Sequence, residues 1–366
     1  MRTIALMIAL FARFFTSCAQ EGDLETNALK KYDIIQYASV SGYGPQNIAL
    51  LDNNGDILLA CKMGMTKDGL KKTGIACTQS QLVLLETWRL LTLNEDTIKT
   101  VMTILDSTET RALRGYSRYV AEFVCDSTVA VVVALKKHLD EINRGRNAYS
   151  LIFSYVVDGL VWRYLEAKKL LTPRTIGPES PIWAGEVWAL HRPRSFSCGT
   201  NKIRDRGISI NVNWSEASIP KMWPFVADIK NLERMFEDYA TSNRIMDTTA
   251  KRVFSPFNLF NSKGEFTVPI ITETKTNRLY TASVELSQRI AETVLSSLDI
   301  TSLRASYNLR DASQALVVVY HEIMWDLMDA YERKGILKKP VAFADPAHTR
   351  SADISDLIFI VREEKP

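Results

Sequence analysis

Apolar and polar positions change period along the chain, and the changes mark its elements. Lys67 to Thr73, closed by Gly74, predicts a short helix. Thr78 with Gln81 three residues on is a capping-box start for a second helix, Gln79 to Leu90. Along it Leu82, Leu85 and Arg89 share one side with Leu84, Trp88 and Leu91 beside them, a broad apolar face that must pack on something. Leu91 to Leu93 and Ile98 to Leu105, separated by a turn at Asn94 to Thr97, predict a two-stranded wing, and an amphipathic stretch from Glu109 to Val124 follows.

Upstream, the apolar runs Ile48 to Leu51 and Ile57 to Leu59 flank a turn at Asp52 to Asp56 and predict a β-hairpin. That Asp/Asn turn lacks the later bidentate Glu a calcium loop requires. Downstream, Asp158-Gly159 admits a hairpin within Tyr149 to Tyr164, but apolar positions continuing through Trp162 and Leu165 favour a helix. From Ile182 the period shortens to two: Ile208, Ile210, Val212 and Trp214 alternate with Ser209, Asn211 and Asn213, one face buried and the other polar. Met222 to Tyr239, Leu286 to Leu298 and Ser313 to Lys334 then predict helices, around an extended stretch from Phe254 to Ile271. The expectation is an α+β fold, helix-rich with short antiparallel sheets. A signal occupies residues 1–17, a tether 18–31, and two α+β domains 32–145 and 146–366.

The succession of helix, turn, helix, wing and helix over residues 67–124 resembles a winged-helix module in architecture. Trp162 to Leu171 before Ile182 to Leu190, and Trp325 to Leu337 before Val341 to Phe343, echo its phrase of tryptophan and leucines entering a strand; they read either as further modules or as ordinary helix–strand junctions.

The first twenty residues follow signal-peptide grammar, with Arg2, an apolar stretch from Ile4 to Phe15, and Thr16 and Ser17 before Cys18. This resembles the bacterial lipoprotein signal, in which small residues precede a lipid-bearing cysteine. It departs from the common pattern at Phe15, at Ser17 and in the interruption by Arg13. Gln20, Glu21, Asp23 and Glu25 suit a tether and resemble the acidic export signals of surface-exposed Bacteroidota lipoproteins. The resemblance implies a chain held at the cell envelope, at the outer membrane, by acyl groups such as palmitate on Cys18. Secretion with cleavage after Ala19, or an uncleaved apolar helix of a cytoplasmic protein, are the alternatives.

The composition, 46% hydrophobic and 24% charged, is that of a globular chain, and the net charge of +3 falls to +1 without Arg2 and Arg13. A body so near neutrality gives no bulk electrostatic argument for nucleic acid. Beyond the signal no run approaches the ~20 apolar residues of a membrane span. The four histidines, His138, His191, His321 and His348, lack metal-ligand spacing, and His321-Glu322 has Trp325 where a zincin's second histidine would stand. Neither a GxSxG elbow nor a phosphate or dinucleotide loop occurs, so no metal and no cofactor is expected. Cys61, Cys77, Cys125 and Cys198 read as isolated thiols or as an even set open to three pairings. Cys198 with His191 is the only thiolate–base pairing to weigh, and its spacing carries no geometry.

The stretch richest in recognition chemistry interleaves Trp183, Trp188, Phe196 and Trp214 with His191, Arg192, Arg194, Lys202, Arg204 and Arg206. Aromatic faces offer stacking and guanidinium groups offer forked donors, which suits an anionic or sugar ligand; a solvated loop beside core tryptophans is the plain alternative. The leading expectation is therefore a non-catalytic, envelope-anchored binding or assembly protein that meets a protein or glycan. The others are an extracytoplasmic hydrolase using scattered carboxylates such as Glu179 and Glu186, and a cytoplasmic winged-helix DNA-binding regulator.

Overall fold

The computed structural model describes residues 27–363. Residues 1–17, Cys18 and the acidic residues that follow it lie outside them. With 56% helix and 17% strand in short sheets, the fold is α+β. The expected tether runs to Lys31, but the chain is already packed at Asn27. That residue is buried, its amide donates to the carbonyls of Ala49 and Asp52, and Ala28–Lys31 is a 3-10 turn.

A small unit comes first. After β1 (Tyr32–Val40) stand α1 (Pro45–Ala49), α2 (Asn54–Ala60), β2 (Met65–Thr66), α3 (Lys67–Lys72), α4 (Gln79–Thr87), β3 (Leu91–Asn94) and β4 (Thr97–Thr100). The three strands pair in the order β2-β4-β3, which with the helix–strand–helix–helix–strand–strand succession is the arrangement of a winged helix. Thr78 caps α4 as expected, its hydroxyl accepting from the Gln81 amide while the Gln81 side chain returns to the Thr78 amide. Arg89 does not share the packed side; it ends the helix in the left-handed region, φ 56°, and is exposed. The hairpin expected over Ile48 to Leu59 is instead the helix pair α1 and α2. Ile57 and Leu58 are both fully buried, and a strand would send such neighbours to opposite faces. The wing also ends earlier than its apolar run, because Thr103–Leu105 leaves it as β5 to pair with another sheet.

Trp88 closes α4 at 9% exposure within this unit's core, and its carbonyl accepts from the Trp183 indole at 2.9 Å. Trp88→Ala is expected to cost about 3–5 kcal/mol. A urea unfolding midpoint equal to that of the wild type would contradict this packing.

The large body begins at α5 (Ser107–Glu141), capped by Asp106 and Glu109. α5 packs on α10 (Arg278–Ser297) and α12 (Ala312–Arg333) and shares their hydrophobic core. Ala148–Leu151, Ile152–Leu160 and Val161–Ala167 run end to end as one helix, α6, whose middle segment is π-helical. The helix reading of Asp158-Gly159 therefore describes the structure. π-turns are rare and concentrate at functional sites. Gly159 belongs to this winding: a Cβ there would lie 2.8 Å from the Ser154 carbonyl oxygen.

β6 (Trp183–His191) lies between β1 and β5 and joins the two units, sending Trp183, Val187 and Ala189 into the small core and Trp188 and Leu190 into the large one. β7 (Gly199–Asp205), β8 (Ile208–Trp214), β9 (Ile270–Thr272) and β10 (Ile358–Arg362) form a second sheet, ordered β7-β8-β10-β9. Between β8 and β9 stand α7 (Ile219–Val226), α8 (Ile229–Ser242) and α9 (Thr248–Phe254); α11 (Ile300–Tyr307) lies between α10 and α12, and α13 (Val341–Ala344) follows α12. Neither echo of the winged helix rebuilds it, since Trp162 to Ala167 is the end of α6 and Val341 to Phe343 is helical.

Candidate functional site

The second sheet expresses its period of two in an unexpected way. Ile203, Ile208, Ile210 and Val212 enter the large core, whereas the polar face is covered. Cys198, Thr200, Lys202 and Arg204, every second residue, and Ser209 and Asn211 of β8 line a cavity of about 560 Å³. The polar face thus borders a cavity open at one side, with Ser209 and Asn211 both buried. Across it stand Gln36, Tyr37 and Ala38 of β1; Ser154, Tyr155, Asp158, Trp162 and Arg163 of α6; Trp188; Arg174; Glu273; and His321 and Trp325 of α12.

Part of this wall is closed upon itself. Glu273 Oε1 accepts from the Tyr155 hydroxyl at 2.9 Å and from Arg163 at 3.1 and 3.2 Å. Glu166 takes the Tyr37 hydroxyl and the Arg174 guanidinium, which also covers the Tyr37 ring at 4.1 Å. The rest is open. Lys202 has no hydrogen bond or ion pair, and Arg204 no carboxylate partner, among the described residues. The Ser154 hydroxyl and the Trp188 indole nitrogen are buried without a partner, whereas the unpartnered side-chain oxygen of Gln36 lies against Gly44 on the other face of β1. Such groups each cost about 1–3 kcal/mol unless something satisfies them.

Burial pushes the Asp158 carboxyl up to about 6, against the pulls of His321, Lys202 and the Trp162 N–H. Burial also lowers the Lys202 amine, reinforced by the charges of Arg163 and Arg204. The Cys198 thiol is driven well above its usual range by burial, so it is no thiolate, and His191 is not in the cavity wall but stacks edge-on against Tyr32 at 5.0 Å. Cys61, Cys77, Cys125 and Cys198 are all free. Among the described residues no three His, Cys, Asp or Glu side chains are grouped to hold a metal.

The residues expected to share one ligand surface are separated. Trp188, Lys202 and Arg204 reach the cavity. Trp183 packs into the small core and borders a second cavity of about 420 Å³ with Glu179 and Glu186, whose carboxylate is occupied by Thr172, Arg310 and Gln314. Arg192 is exposed at φ 68°, and Arg206 is exposed at the β7–β8 turn, 3.4 Å from Asp205 and 3.6 Å from Glu237. Arg194 is turned inward to Glu322 at 2.8 Å and Asp326 at 2.9 Å, a structural pairing and not a free guanidinium. Among the wall residues not expected to meet a ligand are Asp158, Arg163, Arg174, Glu273, His321 and Trp325. Asp158 carries a sequence signal of its own, a lone carboxylate inside the apolar run from Ile152 to Leu165.

Compared with known protein families, with curated proteins and with solved structures, the chain finds no match.

Proposed function

We propose that this is an envelope-anchored binding protein that holds a small, polar, anionic ligand in the cavity between α6, α12 and the second sheet. One observation carries the reading: the wall keeps the Lys202 amine and the buried polar atoms of Ser154 and Trp188 without protein partners, with Arg204 exposed at its mouth. Burying such groups is costly, and a bound anion with hydrogen-bonding capacity supplies what they lack. Trp162, Trp188 and Trp325 add aromatic surface beside them. The test is a thermal-shift screen of phosphorylated and carboxylated sugars and nucleotides. A true ligand at a hundredfold excess over Kd adds about 2.7 kcal/mol of stability. Equal melting temperatures across the whole screen would oppose the reading.

The charge pattern of the winged-helix unit supports this over a nucleic-acid role. α4, the helix that would enter a groove, carries no Lys or Arg from Gln79 to Thr87, and the wing turn presents Glu95 and Asp96.

The anchor rests on the signal-like start and Cys18. No helix among the described residues is long and apolar enough to cross a membrane. Cys18→Ala is expected to abolish palmitate labelling and release the chain from membranes while leaving it folded. Retention of the variant in membranes after a high-salt wash would contradict the anchor.

A further inference from the structure

Lys202 differs from the other cations of the wall. Arg163 and Arg174 are each closed on a carboxylate, Glu273 and Glu166, and Arg204 is exposed at the mouth. Lys202 is set in the wall without a partner, repelled by Arg163 and Arg204 and drawn by Asp158 and Glu273. Desolvation and like charge both favour the neutral amine, and a neutral amine is a nucleophile where an ammonium is not. An arginine at this strand position would bind an anion with better geometry; what lysine adds is the capacity to react.

We propose that Lys202 is the reacting amine of the cavity, and that its ligand is a small aldehyde or ketone bearing an anionic group, captured as an imine on Nζ. This rests on the cavity being a ligand site. In the step the Nζ lone pair forms a bond to the carbonyl carbon while the C=O π pair moves to oxygen, and one nitrogen proton passes to that oxygen. Asp158, in its protonated form, gives its proton to the resulting hydroxyl, which leaves as water as the C=N bond forms. The iminium nitrogen returns its last proton to Asp158, so amine and carbonyl become imine and water with Asp158 unchanged. Asp158 lines the same cavity, and the two groups act on each other's charge. Arg204 at the mouth is placed for the anionic end.

The experiment has two arms on the full-length wild-type protein at neutral pH. Formaldehyde with cyanoborohydride tests the amine alone, because the neutral nitrogen forms the iminium and cyanoborohydride supplies the hydride that fixes it. Peptide mapping is expected to show Lys202 methylated severalfold ahead of the exposed Lys71 and Lys137; Lys202 among the last lysines modified would overturn the proposal. Pyridoxal phosphate followed by borohydride tests the ligand class, with the adduct expected on Lys202 and suppressed by pyridoxine phosphate, which has the anion and ring but no carbonyl. Adducts spread over surface lysines would overturn the assignment of an anionic carbonyl ligand. Binding of pyridoxine phosphate without capture on Lys202 would overturn this inference while leaving the anion site standing.

Discussion

Arg194→Gln is expected to destabilise the protein by about 3–5 kcal/mol, the usual cost of removing one partner from a buried ion pair. The reason lies in what it leaves behind. Glu322 and Asp326 have side chains only 1% and 4% exposed, and Arg194 serves both. Arg114 binds Glu322 as well, at 2.8 Å, and Ser117 donates to Asp326. Burial alone would raise the Glu322 carboxyl, but the His321 hydrogen bond and the charges of Arg194 and Arg114 hold it down at about 2. A depressed carboxyl stabilises the fold at pH above its ordinary 4.5, and that contribution is lost as the pH falls through about 2. The deficit of the variant should therefore be full at neutral pH and narrow in acid, where Glu322 takes up its proton. Urea titrations of the two proteins at neutral and acidic pH measure it, and a deficit unchanged in acid would contradict the network.

Asp158→Asn is expected to do the opposite, raising stability at neutral pH by about 3 kcal/mol, the equivalent of a carboxyl moved from 3.8 to about 6. Its folded value lies above its unfolded one, so the cost is full above about 6 and disappears as the pH falls below 3.8. From this group alone the wild type should gain stability between neutral pH and moderate acid while the variant stays level. Groups kept at the expense of stability are a mark of functional sites. A variant less stable than the wild type at neutral pH would place Asp158 in the structural core instead.

Contacts close in sequence were the most legible. The winged-helix unit could be read because a capping box, a glycine stop and a short wing all act within a few residues of one another. Its entry was misread because three- and four-residue apolar runs do not distinguish a strand from the inner face of a short helix. The alternation of β8 was read correctly, but alternation says only that two faces differ and not what covers the polar one. The cavity draws on β1, α6, β7, β8, α12 and β10, residues from Gln36 to Glu363, and no local pattern links them. Interleaved aromatic and basic residues did point to Trp188, Lys202 and Arg204. In sequence, however, Arg194 looks like Arg204, and only the buried Glu322 and Asp326 tell them apart.

Calorimetric titration of the screened ligand that stabilises the protein most, compared between the wild type and a Lys202→Met, Arg204→Gln double variant, tests the account of the cavity most directly. Each charge-assisted hydrogen bond lost is worth about 1.5–3 kcal/mol, so affinity should fall by more than about tenfold while the variant melts no lower than the wild type. Equal affinity in the two proteins would show that the ligand binds elsewhere and that the open groups of this cavity do not hold it.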